Sequence, residues 1–176
     1  PKGRMLANFR IFSHNGAYLL QIPIDTQPAL IKRLTMFVMR SEVNIEDVSE
    51  QYVTIGLAGD CSQELLKTNF SNVPLNPGDA VEENGITIWH RPGPTQRYML
   101  TGQPENIAHI WQQCSQQATT TNPELWTLLD IRSGIATVYA NTVESFVPQM
   151  VNMQLVDGVS FDKGCYVGQE VVARMK

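Results

Sequence analysis

Apolar and polar positions fall into short, well-punctuated runs along the chain. Residues 3–12, GRMLANFRIF, have strand character, and AYLLQIPI follows the HNG of 14–16. Asn15-Gly16 between two apolar runs predicts a hairpin, because both residue types accept positive φ. Asp25-Thr26 offers a helix N-cap, and Pro28 suits a first helical turn. Leu30, Ile31, Leu34, Phe37 and Val38 then recur at helical spacing, which predicts a helix over about 28–40. Residues 43–48 and 52–58 read as strands. Gly59-Asp60 turns into a short helix capped by Asp60, with Leu65 and Leu66 facing inward. VPLNPGD (73–79) and RPGP (91–94) are loops by their Pro, Asn and Gly content. Asn84-Gly85 marks a tight turn before the strand ITIWH, RYMLTG is another strand, and 103–117 is a helix carrying Ile107, Ile110 and Trp111.

The predicted order over this stretch is strand, strand, helix, strand, strand, helix. It implies an α+β module with an antiparallel sheet and helices on one face. A polar linker, 118–124, leads to a helix that starts near Pro123 and is ended by Gly134. Residues 135–159 have weak periodicity. The domain reading is 1–42 as part of one module, 43–117 as a ferredoxin-like α+β module, and 118–176 as a return to the first. The chain opens inside a predicted hairpin and stops in an uncapped helix, QEVVARMK, so a piece of a longer protein is expected.

Composition narrows the function classes. The net charge is −4 over 176 residues, from 13 Lys and Arg against 17 Asp and Glu. That disfavours a broad, sequence-independent nucleic-acid surface, which needs clustered cations. No apolar run reaches the roughly 20 residues of a membrane helix. The three cysteines, Cys61, Cys114 and Cys165, are far apart and have no metal-ligand spacing, which points to a reducing compartment and a cytoplasmic location. Cys61 and Cys114 read as structural, as do His14, His90 and His109. Core packing is the favoured use of Trp89, Trp111 and Trp126.

The chemistry concentrates near residue 165. In SFDKGCYVGQEVVARMK, Gly164 and Gly168 allow a tight path around Cys165, and a helix predicted to begin near Gly168 places the thiol just before its N-terminus. Lys163 adds a positive charge, and both effects favour the thiolate. A buried, inert cysteine is the competing reading.

These residues carry a resemblance. DKGCYVGQEVVAR looks like the KGCYxGQE signature of the folate-binding, YgfZ-type proteins, which are related in fold to the T-protein (aminomethyltransferase) of the glycine cleavage system. PKGRMLANFRIF resembles that family's KGR-type strand, and FVPQMVNMQLVDGVSF (146–161) resembles the run leading into the signature. The resemblance implies interleaved α+β modules around a central folate site, with a C-terminal β-barrel that this chain lacks. It implies tetrahydrofolate or a derivative as ligand, no metal site, and support of iron–sulfur enzymes, including tRNA-thiolating ones, as the role. Direct nucleic-acid contact and membrane association are not expected. Cys165 and Lys163 take the reactive positions. Tyr166, Gly168, Gln169, Glu170, Arg132, Lys2 and Arg4 take the ligand-binding positions. One departure is informative: T-proteins carry a pterin-contacting acidic residue in an R-x-E-A-G segment, and the nearest match here, DIRSG, has Arg132 at that place. A cation cannot accept the pterin N–H bonds. The resemblance therefore leans away from an enzyme. A folate-dependent aminomethyl or one-carbon transferase, and a non-catalytic interaction module with a vestigial folate site, stand as the alternatives.

Overall fold

The computed structural model describes residues 3–160, 164 and 169–174. Its elements are α+β with antiparallel sheets. Two compact units divide the chain: residues 12–19 with 48–133, and the remainder, 1–11, 20–47 and 134–176.

The predicted hairpin is present. β1 (Arg10–His14) pairs with β2 (Ala17–Gln21), and the turn residues Asn15 and Gly16 have φ of 50° and 76°. The strand is shorter than the 3–12 run suggested, because residues 3–9 make their bonds elsewhere. Met5 N donates to the Phe146 carbonyl and the Met5 carbonyl accepts from Glu144 N. The Asn8 side chain donates to the Ala136 carbonyl and accepts from Val138 N, both at 2.7 Å. These bonds give the first unit its seam, with Met5, Val138 and Met153 buried behind it. α1 (Gln27–Thr35) begins after Thr26, with Pro28 in its first turn. The Thr26 hydroxyl does not cap; it donates to the Pro23 carbonyl, and Asp25 instead accepts from Ala140 N.

The second unit is built on a four-stranded sheet of order β3-β6-β5-β4. The strands are β3 (Val53–Ala58), β4 (Ala80–Glu83), β5 (Ile86–His90) and β6 (Arg97–Gly102), with α2 (Ser62–Lys67) after β3 and α3 (Pro104–Cys114) after β6. The order is therefore β-α-β-β-β-α. Residues 43–48 form no strand, and AVEE forms one. Asp60 does not cap α2; Cys61 occupies the N-cap position without a side-chain bond.

One sheet face carries Ile86, Ile88, Tyr98 and Leu100 against Leu65, Leu66 and Phe70 from α2 and its exit, and Ile107, Ile110 and Cys114 from α3. Helices do not keep to that face alone. α4 (Pro123–Arg132) sets Trp126 against Gly56 on the other side of β3, where an added Cβ would lie 2.5 Å from the indole. The hairpin tip reaches Thr87, which lies on that side as well: His14 Nδ1 is 2.8 Å from the Thr87 hydroxyl, which donates to the Ser13 carbonyl. Covered on both faces, β6 is buried at all six positions. α4 starts as predicted, with Pro123 in its first turn and Asn122 accepting from Leu125 N.

In the first unit, residues 140–156 form three 3-10 turns. The last helix, α5 (Gln169–Arg174), is tied to them by the Gln149 side-chain amide, which donates to the Val172 carbonyl, and Val172 is buried.

Candidate functional site

The predicted site residues fall into three groups. Lys2, Lys163, Cys165, Tyr166 and Gly168 lie outside the described residues, and with them the prediction of a thiol at a helix start. Gln169 and Glu170 open α5, with Glu170 exposed in its first turn. Arg4 belongs to the same unit and clamps the backbone there: its Nη1 donates to the carbonyls of Glu144 and Ser145 at 3.0 and 2.7 Å. Arg132 belongs to the other unit and stands exposed at the end of α4.

The segment around Arg132 contains a feature that sequence reasoning missed. Asp130, the first residue of DIRSG, is buried with two arginines. Arg91 and Arg97 both donate to its Oδ1, Arg97 at 2.8 Å. The two guanidinium-bearing residues are 1% and 0% exposed. Arg97 also donates to the Pro92 carbonyl and the Ser133 hydroxyl. Each guanidinium lies against an indole, Arg91 at 4.8 Å from Trp89 and Arg97 at 5.3 Å from Trp126. Burying charge is tolerated only when it is paired and hydrogen-bonded. Here the Asp130 carboxylate and two indole faces lie against the two cations. The cluster fixes the RPGP loop to the end of α4, and so fixes the base from which Arg132 projects.

The remaining candidates divide between core and surface. Cys114 is buried in the core, and that burial raises its thiol pKa. Cys61 is exposed, unlike a small core hydrophobe. His90 is buried and stacked on Tyr98 at 4.6 Å, and burial lowers its pKa. Trp111 is 43% exposed, so it is not the core residue the helical pattern suggested. Among the described residues no group of His, Cys, Asp and Glu could hold a metal, and no helix is long and apolar enough to cross a membrane.

Comparison with curated proteins bears on the whole chain. The tRNA-modifying protein YgfZ of Pectobacterium carotovorum is 32% identical over 175 residues, 99% of this chain and 52% of that protein. Its namesake in Hamiltonella defensa is 34% identical over 179 residues, again 99% of this chain and 52% of that protein. That of Serratia proteamaculans is 35% identical over 179 residues, 99% of this chain and 53% of that protein. Along 99% of its length the chain is similar to these proteins. It spans about half the length of the curated relatives it matches. No family model matches it.

The described residues among the predicted ligand-binding set differ in their surroundings. Arg132 and Arg4 are exposed cations suited to carboxylates such as those of a glutamyl tail. The carboxylate nearest Arg132 in sequence, Asp130, is engaged with Arg91 and Arg97. Glu170 is the exposed carboxylate of the signature helix.

Proposed function

We propose that this chain is the thiol-bearing part of a folate-binding accessory protein that supports assembly or repair of iron–sulfur enzymes, including those that thiolate tRNA. The observation that carries the reading is the DKGCYVGQEVVAR segment, in a chain similar along 99% of its length to proteins named tRNA-modifying. In this reading the protein has interleaved T-protein-like modules and works in the cytoplasm. Its ligand is tetrahydrofolate or a derivative, which would supply or accept a one-carbon unit. Tyr166, Gly168, Gln169 and Glu170 hold the ligand from the signature, and Lys2, Arg4 and Arg132 provide cations for its carboxylates. Cys165 is the functional thiol, with Lys163 favouring its thiolate. One cysteine cannot hold a cluster alone, since Cys-ligated clusters take about four thiolates, so any cluster contact runs through a client protein. The effect on tRNA is then indirect, and no contact with nucleic acid is required. Aminomethyl transfer is disfavoured by Arg132 and by the engagement of Asp130.

The full-length protein, titrated with tetrahydrofolate by calorimetry under reducing conditions, is expected to bind saturably. In cells lacking the protein, Cys165→Ser is expected to abolish rescue of tRNA thiolation while the variant accumulates folded. Full rescue by Cys165→Ser removes the thiol from the mechanism, and no heat with tetrahydrofolate removes the ligand.

A further inference from the structure

The sheet of the second unit ends in two edge strands, β3 and β4. An open edge is a template for another strand, and natural sheets blunt it with short strands and charged side chains. β4 follows that rule: it has four residues and carries Glu82 and Glu83. β3 does not. VTIGLA runs for six residues with no charge and no proline.

The ladder fixes which backbone groups of β3 face outward. In an antiparallel pair, hydrogen-bonded and non-hydrogen-bonded partners alternate. Gly59 N donates to the Gln96 carbonyl, one step beyond the Ala58–Arg97 partners. On the other side of β6, Arg91 N donates to the Arg97 carbonyl, so Arg97 turns its backbone toward β5 while Gln96 and Tyr98 turn theirs toward β3. Val53, Ile55 and Leu57 therefore bond to β6, and Thr54, Gly56 and Ala58 point their N–H and C=O groups away from it. All three are exposed. Among the described residues, none bonds to their backbone groups. Apolar surface adjoins this edge. α4 holds Trp126 over Gly56 and Asp130 in the arginine cluster, and leaves Leu125, Leu128 and Ile131 exposed at 43%, 39% and 67%. A helix apolar all round is ordinarily buried.

We propose that β3 docks a second copy of this chain, paired antiparallel about a two-fold axis at Gly56. The outward-facing set is symmetric about that residue. Gly56 meets Gly56 of the partner subunit, and Thr54 meets Ala58 of the partner subunit. Each pair of this kind exchanges both N–H···O bonds. On the core face, Ile55 lies opposite Leu57 of the partner subunit. Like charges placed opposite each other destabilise a strand pair, and this strand has no charge to oppose. The paired residues Thr54, Gly56 and Ala58 are small, so Trp126 keeps its place over the edge. The axis is normal to the sheet, which brings the exposed apolar residues of both α4 helices to the same side. A self-complementary contact of this type closes at two copies. The proposal does not rest on the folate reading.

The test follows the full-length protein by sedimentation velocity across a wide concentration range, with amide hydrogen exchange read at Thr54, Gly56 and Ala58. A reversible dimer is expected, in which those three amides are protected and from which they are released on dilution. Two double variants test the register. Thr54→Lys with Ala58→Lys sets lysine opposite lysine and is expected to weaken the dimer about 10-fold. Thr54→Lys with Ala58→Glu sets lysine opposite glutamate and is expected to restore it. Both variants lose the same Thr54–Thr101 hydroxyl contact, so that loss cancels between them. The proposal is overturned by a dimer whose three amides exchange fast, by equal affinities of the two variants, or by a monomer at every concentration. A monomer with the three amides protected assigns the edge to another segment of the same polypeptide. A monomer with them unprotected leaves it to a different partner or to solvent.

Discussion

Replacing Asp130 by Asn keeps the volume and removes the charge that Arg91 and Arg97 share. Both arginines are essentially inaccessible, at 1% and 0% exposed, so water cannot take over the lost interaction. Removing one partner of a buried ion pair costs about 3 to 5 kcal/mol, because an uncompensated charge is left behind. The aspartate side chain is 12% exposed, which places the expected cost toward the lower end of that range. At a urea slope of about 2 kcal/mol per M, a loss of about 3 kcal/mol lowers the unfolding midpoint by about 1.5 M. Intrinsic fluorescence is the natural probe, since Trp89 and Trp126 each lie against one of the guanidiniums. A double-mutant cycle with Arg97→Met separates pair loss from the burden of the stranded cation. Asp130→Asn is expected to cost less when combined with Arg97→Met, because the neutralised carboxyl then faces one buried arginine rather than two. A midpoint shift below about 0.25 M, equivalent to about 0.5 kcal/mol, would refute the view that this carboxylate neutralises the buried arginines.

Other substitutions probe neighbouring features. Gly56→Ala places a Cβ 2.5 Å from the Trp126 ring; thermal unfolding is expected to show a loss of about 1 to 3 kcal/mol, relieved when Trp126 is shortened to Leu. Burial lowers the His90 pKa below its ordinary 6.5, so the unfolded chain takes up a proton that the folded one resists. Stability is therefore fully present above pH about 6.5 and falls as the pH drops toward the folded pKa. Urea midpoints from pH 7.5 to 5 are expected to decline less steeply in His90→Gln, and an unchanged slope counts against the assignment. The Glu83 carboxylate accepts from Ser71 N and Asn72 N, both at 2.9 Å, and these bonds lower its pKa. Its contribution is present above the ordinary value and lost as pH falls. Glu83→Gln is expected to speed amide hydrogen exchange at Ser71 and Asn72, and equal exchange rates argue that the bonds do not hold the loop.

Local signals carried most of the secondary structure. Asn15-Gly16 and Asn84-Gly85 both sit at positive φ in hairpin turns, and Pro123 after Asn122 starts α4. The misreadings have physical causes. VNIEDV alternates well enough for a strand, but a strand also needs a hydrogen-bonded neighbour, which the pattern does not contain. AVEE, with two glutamates in four residues, receives no assignment from the pattern. Both carboxylates are in fact used as acceptors, Glu82 from Asn15 N and Glu83 from the 71–72 backbone. The helices lie on both faces because Gly56 makes room for Trp126, a contact between residues far apart in sequence. The Arg91–Arg97–Asp130 cluster spans up to 39 residues and follows no motif. One signal was available: RYMLTG reads as a fully buried strand, and an arginine in such a strand requires a carboxylate nearby. The candidate site was legible as a motif alone, since its thiol is recognised by neighbouring residue types, whereas Arg4 bonding backbone carbonyls depends on contacts 140 residues away.

The order in which the chain leaves the ribosome gives the nested units a kinetic meaning. Residues 48–133 are inserted between the two halves of the seam that joins Met5 and Asn8 to residues 136–146. The four-stranded sheet and its two helices are complete in sequence by Cys114, before any of the seam's second half has been synthesised. Closing a flexible loop costs entropy that grows with its length, and non-local contacts slow folding. An inserted unit that has already folded removes its residues from that loop. Early sheet formation thus acts as an internal folding aid for the outer unit.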